Sequence, residues 1–191
     1  SYFHKDKDSR NPRIFAGPVW DYDLAFRNAD YCNGSFISGW AYMFNYVCPG
    51  DGAGLIPFWW DKFMNEDTAF QADLRCRWKV LQKSLLNMKW FEKTIDSVAG
   101  LLNEAQQRHF MRWPILGKYV WPNAQPIALT YAQELEYLKT WLDARLSWIN
   151  SSLPNKCNCF DFPPEVTESV IVQIRPNPIA SYGILEVKSR I

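Results

Sequence analysis

The chain has 191 residues, enough for one ordinary domain and a small addition. With 48% hydrophobic and 21% charged residues, it is expected to fold around a packed core. A net charge of +1, from 21 basic and 20 acidic residues without a basic run, excludes the charge signature of a nucleic-acid partner, and no stretch is long and apolar enough to be a transmembrane segment.

The chain opens on Ser1, with no Met and none of the charged and apolar regions of a signal peptide. It is therefore expected to be a mature fragment or a piece cut from a longer protein. Tyr2-Phe3-His4 and Arg13-Ile14-Phe15-Ala16 are predicted to pair as a β-hairpin around a polar turn at residues 5–12. Gly17-Pro18 then bends the chain before Trp20. Residues 27 to about 56 form a long segment punctuated by Asn33-Gly34, Pro49-Gly50-Asp51-Gly52 and Ala53-Gly54. A loop of that length inside a compact domain is usually functional or mobile. Its glycine cluster lacks the Lys-Ser/Thr ending of a phosphate-binding P-loop.

Four helices follow. The first, from 57 to about 64, is short and aromatic. Asp67 is the predicted N-cap of the second, in which Phe70, Leu74, Trp78, Leu81 and Leu85 make one apolar stripe. The third is predicted from about 89 to 112, with Phe91, Ile95, Val98, Leu102 and Ala105 on one face. The fourth starts at Thr130, which forms a capping box with Gln133. It carries Tyr131, Leu135, Leu138, Leu142, Leu146 and Ile149 on its buried side and ends at Leu153-Pro154-Asn155. Trp121-Pro122-Asn123-Ala124-Gln125-Pro126, between the last two helices, is predicted to be irregular. From about residue 156 the composition changes. Phe162-Pro163-Pro164-Glu165 reads as a linker, and Val170–Ile174 and Ile184–Val187 read as strands joined through Arg175-Pro176-Asn177-Pro178.

Of the five cysteines, Cys32 and Cys48 flank a loop rich in Gly, Asn, Ser and Asp and can clip it shut in an oxidising compartment. Cys157-Asn158-Cys159 admits a free pair, a vicinal bridge or half a metal site. Cys76 lies in a helical pattern and reads as a small core residue. With only His4 and His109, and no CxxC pair, a structural zinc site is not expected. His4 on a lone strand reads as structural.

The densest signal is Gly17-Pro18-Val19-Trp20-Asp21-Tyr22-Asp23-Leu24-Ala25-Phe26. Two carboxylates sit two residues apart among aromatics, and acids in apolar company need a cationic neutraliser. A divalent metal is one candidate; Arg13 or Arg27 is the other. On its spacing alone, Asp21 is equally a salt-bridge partner or a cap.

This stretch, with Tyr2-Phe3-His4-Lys5-Asp6-Lys7-Asp8 before it and Asn28-Ala29-Asp30-Tyr31 after it, resembles the CotH (spore coat protein H) kinase family. Thr130-Tyr131-Ala132-Gln133-Glu134 and Trp141-Leu142-Asp143-Ala144-Arg145-Leu146-Ser147-Trp148-Ile149 resemble the last helix of that domain. The resemblance implies a mainly α fold with a small β part. Residues 1–155 would be the helical C-terminal lobe of an atypical protein kinase with a β-hairpin at its front, and the N-terminal lobe would be absent. It implies transfer of phosphate from ATP to hydroxyls of a protein substrate, with Mg2+ held by Asp21 and with Asp23 as an auxiliary ligand or as an acid behind the ligands. The family's catalytic Asp would precede Ser1, and Ser1 itself falls near a second metal-ligand position where Asn is common. The chain alone is then not expected to be a working kinase. Residues 169–191, after a linker at 156–168, resemble the start of the sorting domain read by the type IX secretion machinery, which implies a secreted or cell-surface protein.

Two other classes are open to the same residues. A glycoside-acting enzyme would pair Asp21 or Asp23 with Asp30, Asp51 or Glu66 across a sugar bond. A carbohydrate-binding or surface-attachment module without catalysis would use exposed Trp40, Trp59, Trp60, Trp113 or Trp121.

Overall fold

The structure, a computed structural model, describes residues 3–11, 14–17, 21–48, 50 and 56–154, together with the strands at 171–174 and 185–188, whose backbone alone is considered. The chain divides into two compact units, Ser1–Cys157 and Asn158–Ile191. Among the described residues the first unit is mainly helical, in keeping with the mainly α expectation.

Strands β1 (Phe3–Lys5) and β2 (Ile14–Ala16) pair antiparallel with His4 opposite Phe15, and those two rings stack at 5.3 Å. The turn is closed locally: the Arg10 and Asn11 amides donate to the Lys7 carbonyl, and Lys5 pairs with Asp8. Phe3 docks the hairpin edge-on against Trp59, 5.5 Å between ring centres. His4 is thus occupied by packing within the hairpin.

Helix α2 (Trp59–Asn65) and α3 (Thr68–Gln82) are joined by Asp67, whose carboxylate accepts the Phe70 amide at 2.9 Å. That cap satisfies one of the orphan donors of the first turn. Phe63 and Phe70 stack across the junction at 5.0 Å. Phe70, Leu74, Trp78 and Leu81 face inward as their spacing predicts, whereas Leu85 lies beyond the helix end and is exposed. They line an apolar cavity of about 510 Å3 with Trp40, Trp60 and Ile149.

The predicted third helix is two. Helix α4 (Met88–Leu101) is capped by Asn87, and α5 (Asn103–Arg112) begins after a single non-helical residue, Leu102. Gly100 and Asn103, both poor in helix interiors, bracket the break. The continuous stripe therefore fails: Val98 and Leu102 are exposed while Phe91 and Ile95 are half-buried.

Helix α6 (Tyr131–Ser152) is the spine of the unit. The Thr130 hydroxyl accepts the Gln133 amide at 3.2 Å, and the Gln133 side chain reaches back to the Leu129 amide at 2.7 Å, one residue short of the predicted box. Leu142 is buried at its centre. Arg75 of α3 donates to the carbonyls of Asn150 (3.0 Å) and Leu153 (2.9 Å), satisfying acceptors at the end of α6. Residues 113–129 contain no regular element.

The segment at 27–56 is less irregular than predicted. A 3-10 turn (Ala41–Met43) runs into the one-turn helix α1 (Phe44–Val47). Asn45 fixes it by a two-way amide pairing with the backbone of Ile56. Cys32 and Cys48 form a disulfide with 5.0 Å between their Cα atoms. Cys76 is buried, as a core residue should be, but it is also disulfide-bonded, to a partner outside the described residues.

In the second unit, β3 (Ile171–Ile174) and β4 (Leu185–Lys188) pair antiparallel, Val172 opposite Val187. The Tyr2 and Arg13 ends of the hairpin, the 18–20 bend, the 51–55 turn, Cys157-Asn158-Cys159, the linker and the Pro-Asn-Pro connection lie outside the described residues. No helix among the described residues is long and apolar enough to cross a membrane.

Candidate functional site

The acidic loop leaves β2 and folds into consecutive tight turns. The Ala25 amide donates to the Tyr22 carbonyl (3.0 Å) and the Asn28 amide to that of Ala25 (3.2 Å). Three residues adopt left-handed backbone without being glycine: Asp21 (φ 61°), Phe26 (φ 55°) and Arg27 (φ 76°). Such conformations cost on the order of 1–3 kcal/mol each and persist where surrounding contacts over-determine them. Here the contacts are identifiable. The Asn28 side-chain Nδ2 donates to the Asp23 carbonyl at 2.7 Å. The Arg27 guanidinium donates to the carbonyls of Ala124 (3.0 Å) and Pro126 (2.7 Å) and lies over the Tyr137 ring. Phe26 meets Trp141 of α6 edge-on, and the Asp30 amide donates to the Pro122 carbonyl at 2.8 Å.

The two carboxylates of this loop come together. Asp21 and Asp23 are both exposed and their side chains are within hydrogen-bond reach of each other. A hydrogen bond between the Asp21 carboxyl and Asp23, then repulsion from the Asp23 charge, raises the Asp21 pKa above the ordinary carboxylate value. No cation pairs with either acid among the described residues. Arg27, one of the two candidate neutralisers, is spent on backbone carbonyls instead; Arg13 lies outside the described residues.

What this pair can do follows from its chemistry. Two hard oxygen donors that repel each other, without a counter-ion among the described residues, suit a divalent cation. Mg2+ in particular takes one or two carboxylates and completes its octahedron with water and phosphate oxygens. Among the described residues no third His, Cys, Asp or Glu joins a cluster, so a softer or fully protein-caged metal finds no ligand set there. Among the described residues this ligand set fits Mg2+ and does not fit zinc.

Next to the acids in the chain lies a cavity of about 520 Å3, lined by Leu24, the residue after Asp23, and by Phe26, Phe36, Trp40, Phe44 and Trp141. Its rim is held by α6: Trp141 donates to the Ser35 carbonyl at 2.7 Å, and Arg145 to those of Ile37 (2.7 Å) and Gly39 (2.8 Å). These straps were not anticipated from the sequence, although Trp141 and Arg145 sit four apart on one helix face. Neither Asp21 nor Asp23 lines this cavity.

Of the carboxylates that sugar chemistry would need, Asp30 and Glu66 do not join the pair. Asp30 accepts a hydrogen bond from Tyr119, Glu66 ends α2, and Asp51 lies outside the described residues. The tryptophans are divided. Trp59 and Trp60 pack with Phe3 and Phe63, and Trp40 packs on Trp148. Trp113 remains exposed, with His109 against it, and so does Trp121, stacked on Tyr31.

Residues 1–149 match the family model described as CotH kinase protein, which covers the hairpin, the acidic loop and nearly all of α6. The chain belongs to the CotH kinase family. Comparison with curated proteins and with solved structures gave no match. In this CotH chain the strongest local motif holds the acid pair, and neither acid has a cationic partner among the described residues.

Proposed function

We propose that this chain carries the metal-binding part of an atypical protein kinase that moves phosphate from ATP to a protein hydroxyl. The observation that carries the reading is the Asp21–Asp23 pair: exposed, mutually repelling, and without a cationic partner among the described residues. When bound there, Mg2+ would neutralise phosphate charge and orient the transferred group. Asp21 supplies the principal oxygen ligand and Asp23 the auxiliary one. The turn closed by Asn28 keeps their carboxylates adjacent, so binding needs little rearrangement. The helical unit serves as the C-terminal lobe of that kinase.

We further propose a secreted or cell-surface location for the parent protein. The Cys32–Cys48 disulfide supports it, since such bridges persist in oxidising compartments. The antiparallel β3–β4 pair is compatible with a strand-rich sorting domain recognised by type IX secretion machinery.

The test is phosphate transfer by the full-length parent, wild type beside Asp21→Ala, with Mg2+ titrated. The expected result is loss of transfer in the variant. Equal activity in the two proteins refutes the assignment. Retention of a glycan without turnover would favour the carbohydrate-binding alternative.

A further inference from the structure

Arg27 follows the two acids closely enough in sequence to be their counter-ion, yet its guanidinium reaches elsewhere. It donates to Ala124 and Pro126, which lie 97 and 99 residues further along the chain, and rests 5.0 Å from the centre of the Tyr137 ring. Its neighbour Asn28 holds the Asp23 carbonyl at 2.7 Å. The backbone between the strap and the acids is strained, with positive φ at Phe26 and Arg27. A turn of that kind relaxes when its anchors are removed. Arginine suits the anchoring role: one terminal nitrogen, Nη2, donates to both carbonyls while the planar guanidinium lies over the Tyr137 ring, and a lysine ammonium is a single flexible point charge without that planar face.

We propose that Arg27 is a positioning residue for the acid pair: by gripping the Ala124 and Pro126 carbonyls it fixes the turn that carries Asp23, and thereby sets the affinity of Asp21 and Asp23 for a divalent cation. The proposal rests on the metal reading given above. It has a sign that a purely electrostatic role lacks. Removing a positive charge close to a cation site should tighten cation binding, whereas removing a strap that aligns the ligands should weaken it. Substitutions in the shell that orients metal ligands typically cost about 10–100-fold in affinity.

The experiment is Mn2+ binding to the 191-residue chain, by calorimetry or by water-proton relaxation, in wild type, Arg27→Met, Arg27→Lys, Asp21→Ala and Arg75→Met. Thermal unfolding is recorded for each. Arg75 caps α6 from α3, so Arg75→Met controls for lost stability without touching the acidic loop. The expected result is at least a tenfold loss of Mn2+ affinity in Arg27→Met, an intermediate loss in Arg27→Lys, and wild-type affinity in Arg75→Met despite a lower melting temperature. Unchanged or tighter binding by Arg27→Met overturns the proposal. If Arg27→Met does not fold, a folded Arg27→Lys with wild-type affinity overturns it equally. Wild-type binding that Asp21→Ala abolishes and Arg27→Met leaves intact defeats this inference alone; absence of Mn2+ binding to wild type defeats the metal reading with it.

Discussion

Replacing Cys32 and Cys48 together by serine should lower the stability of the helical unit by about 3 kcal/mol. The disulfide joins residues 16 apart in sequence, and closing a loop of that size removes about 3 kcal/mol of unfolded-chain entropy at 25 °C. For a chain of this length such a loss corresponds to a fall in melting temperature of roughly 6–12 °C. Both residues are only half-buried, so serine there should not add a large desolvation cost. Thermal unfolding followed by circular dichroism, with and without reductant, is the assay. Reductant should further destabilise the double variant, because Cys76 is in a disulfide of its own. A double variant that melts with wild type would refute the reasoning. The loop would then be held by the Asn45–Ile56 pairing and the α6 straps alone.

The acid pair gives a pH prediction. Because the folded-state pKa of Asp21 is raised, the folded chain binds its proton more tightly than the unfolded chain does, and this contribution to stability is present at low pH and lost as pH rises through the raised value. Melting temperatures of wild type relative to Asp23→Asn, scanned upward from pH 4 in chelator, should diverge in favour of the variant, and Mg2+ should shrink the gap; parallel curves would contradict the pairing. Gly34→Ala should destabilise by about 1–3 kcal/mol, since a Cβ there would stand 2.7 Å from that of the buried Ala29 and 3.1 Å from two carbonyl oxygens. A urea titration with an unchanged midpoint would show that the loop yields more easily than its packing implies.

The features legible in the sequence are those with local causes. Asp67 and Thr130 announce their helices because an N-cap side chain bonds an amide three residues on, within the reach of the same turn. The α6 stripe is readable because a long helix repeats its buried face. The break at Leu102 was missed although Gly100 and Asn103 are visible, since the apolar period continues across it and period outweighed propensity. Helix α1 was missed for the opposite reason: four residues show no period, and it is held by a disulfide and by the pairing of Asn45 with Ile56.

The sequence by itself determined the hairpin, the helix starts and the presence of two acids in an aromatic loop, all matters of neighbours within a turn or two. Only the tertiary structure decided what becomes of those acids. Whether Arg27 clamps Asp21 and Asp23 depends on where its side chain reaches, and its partners stand 97 and 99 residues away along the chain. Local periodicity carries no information about such distances; they are set when α6 and the segment before it close over the loop.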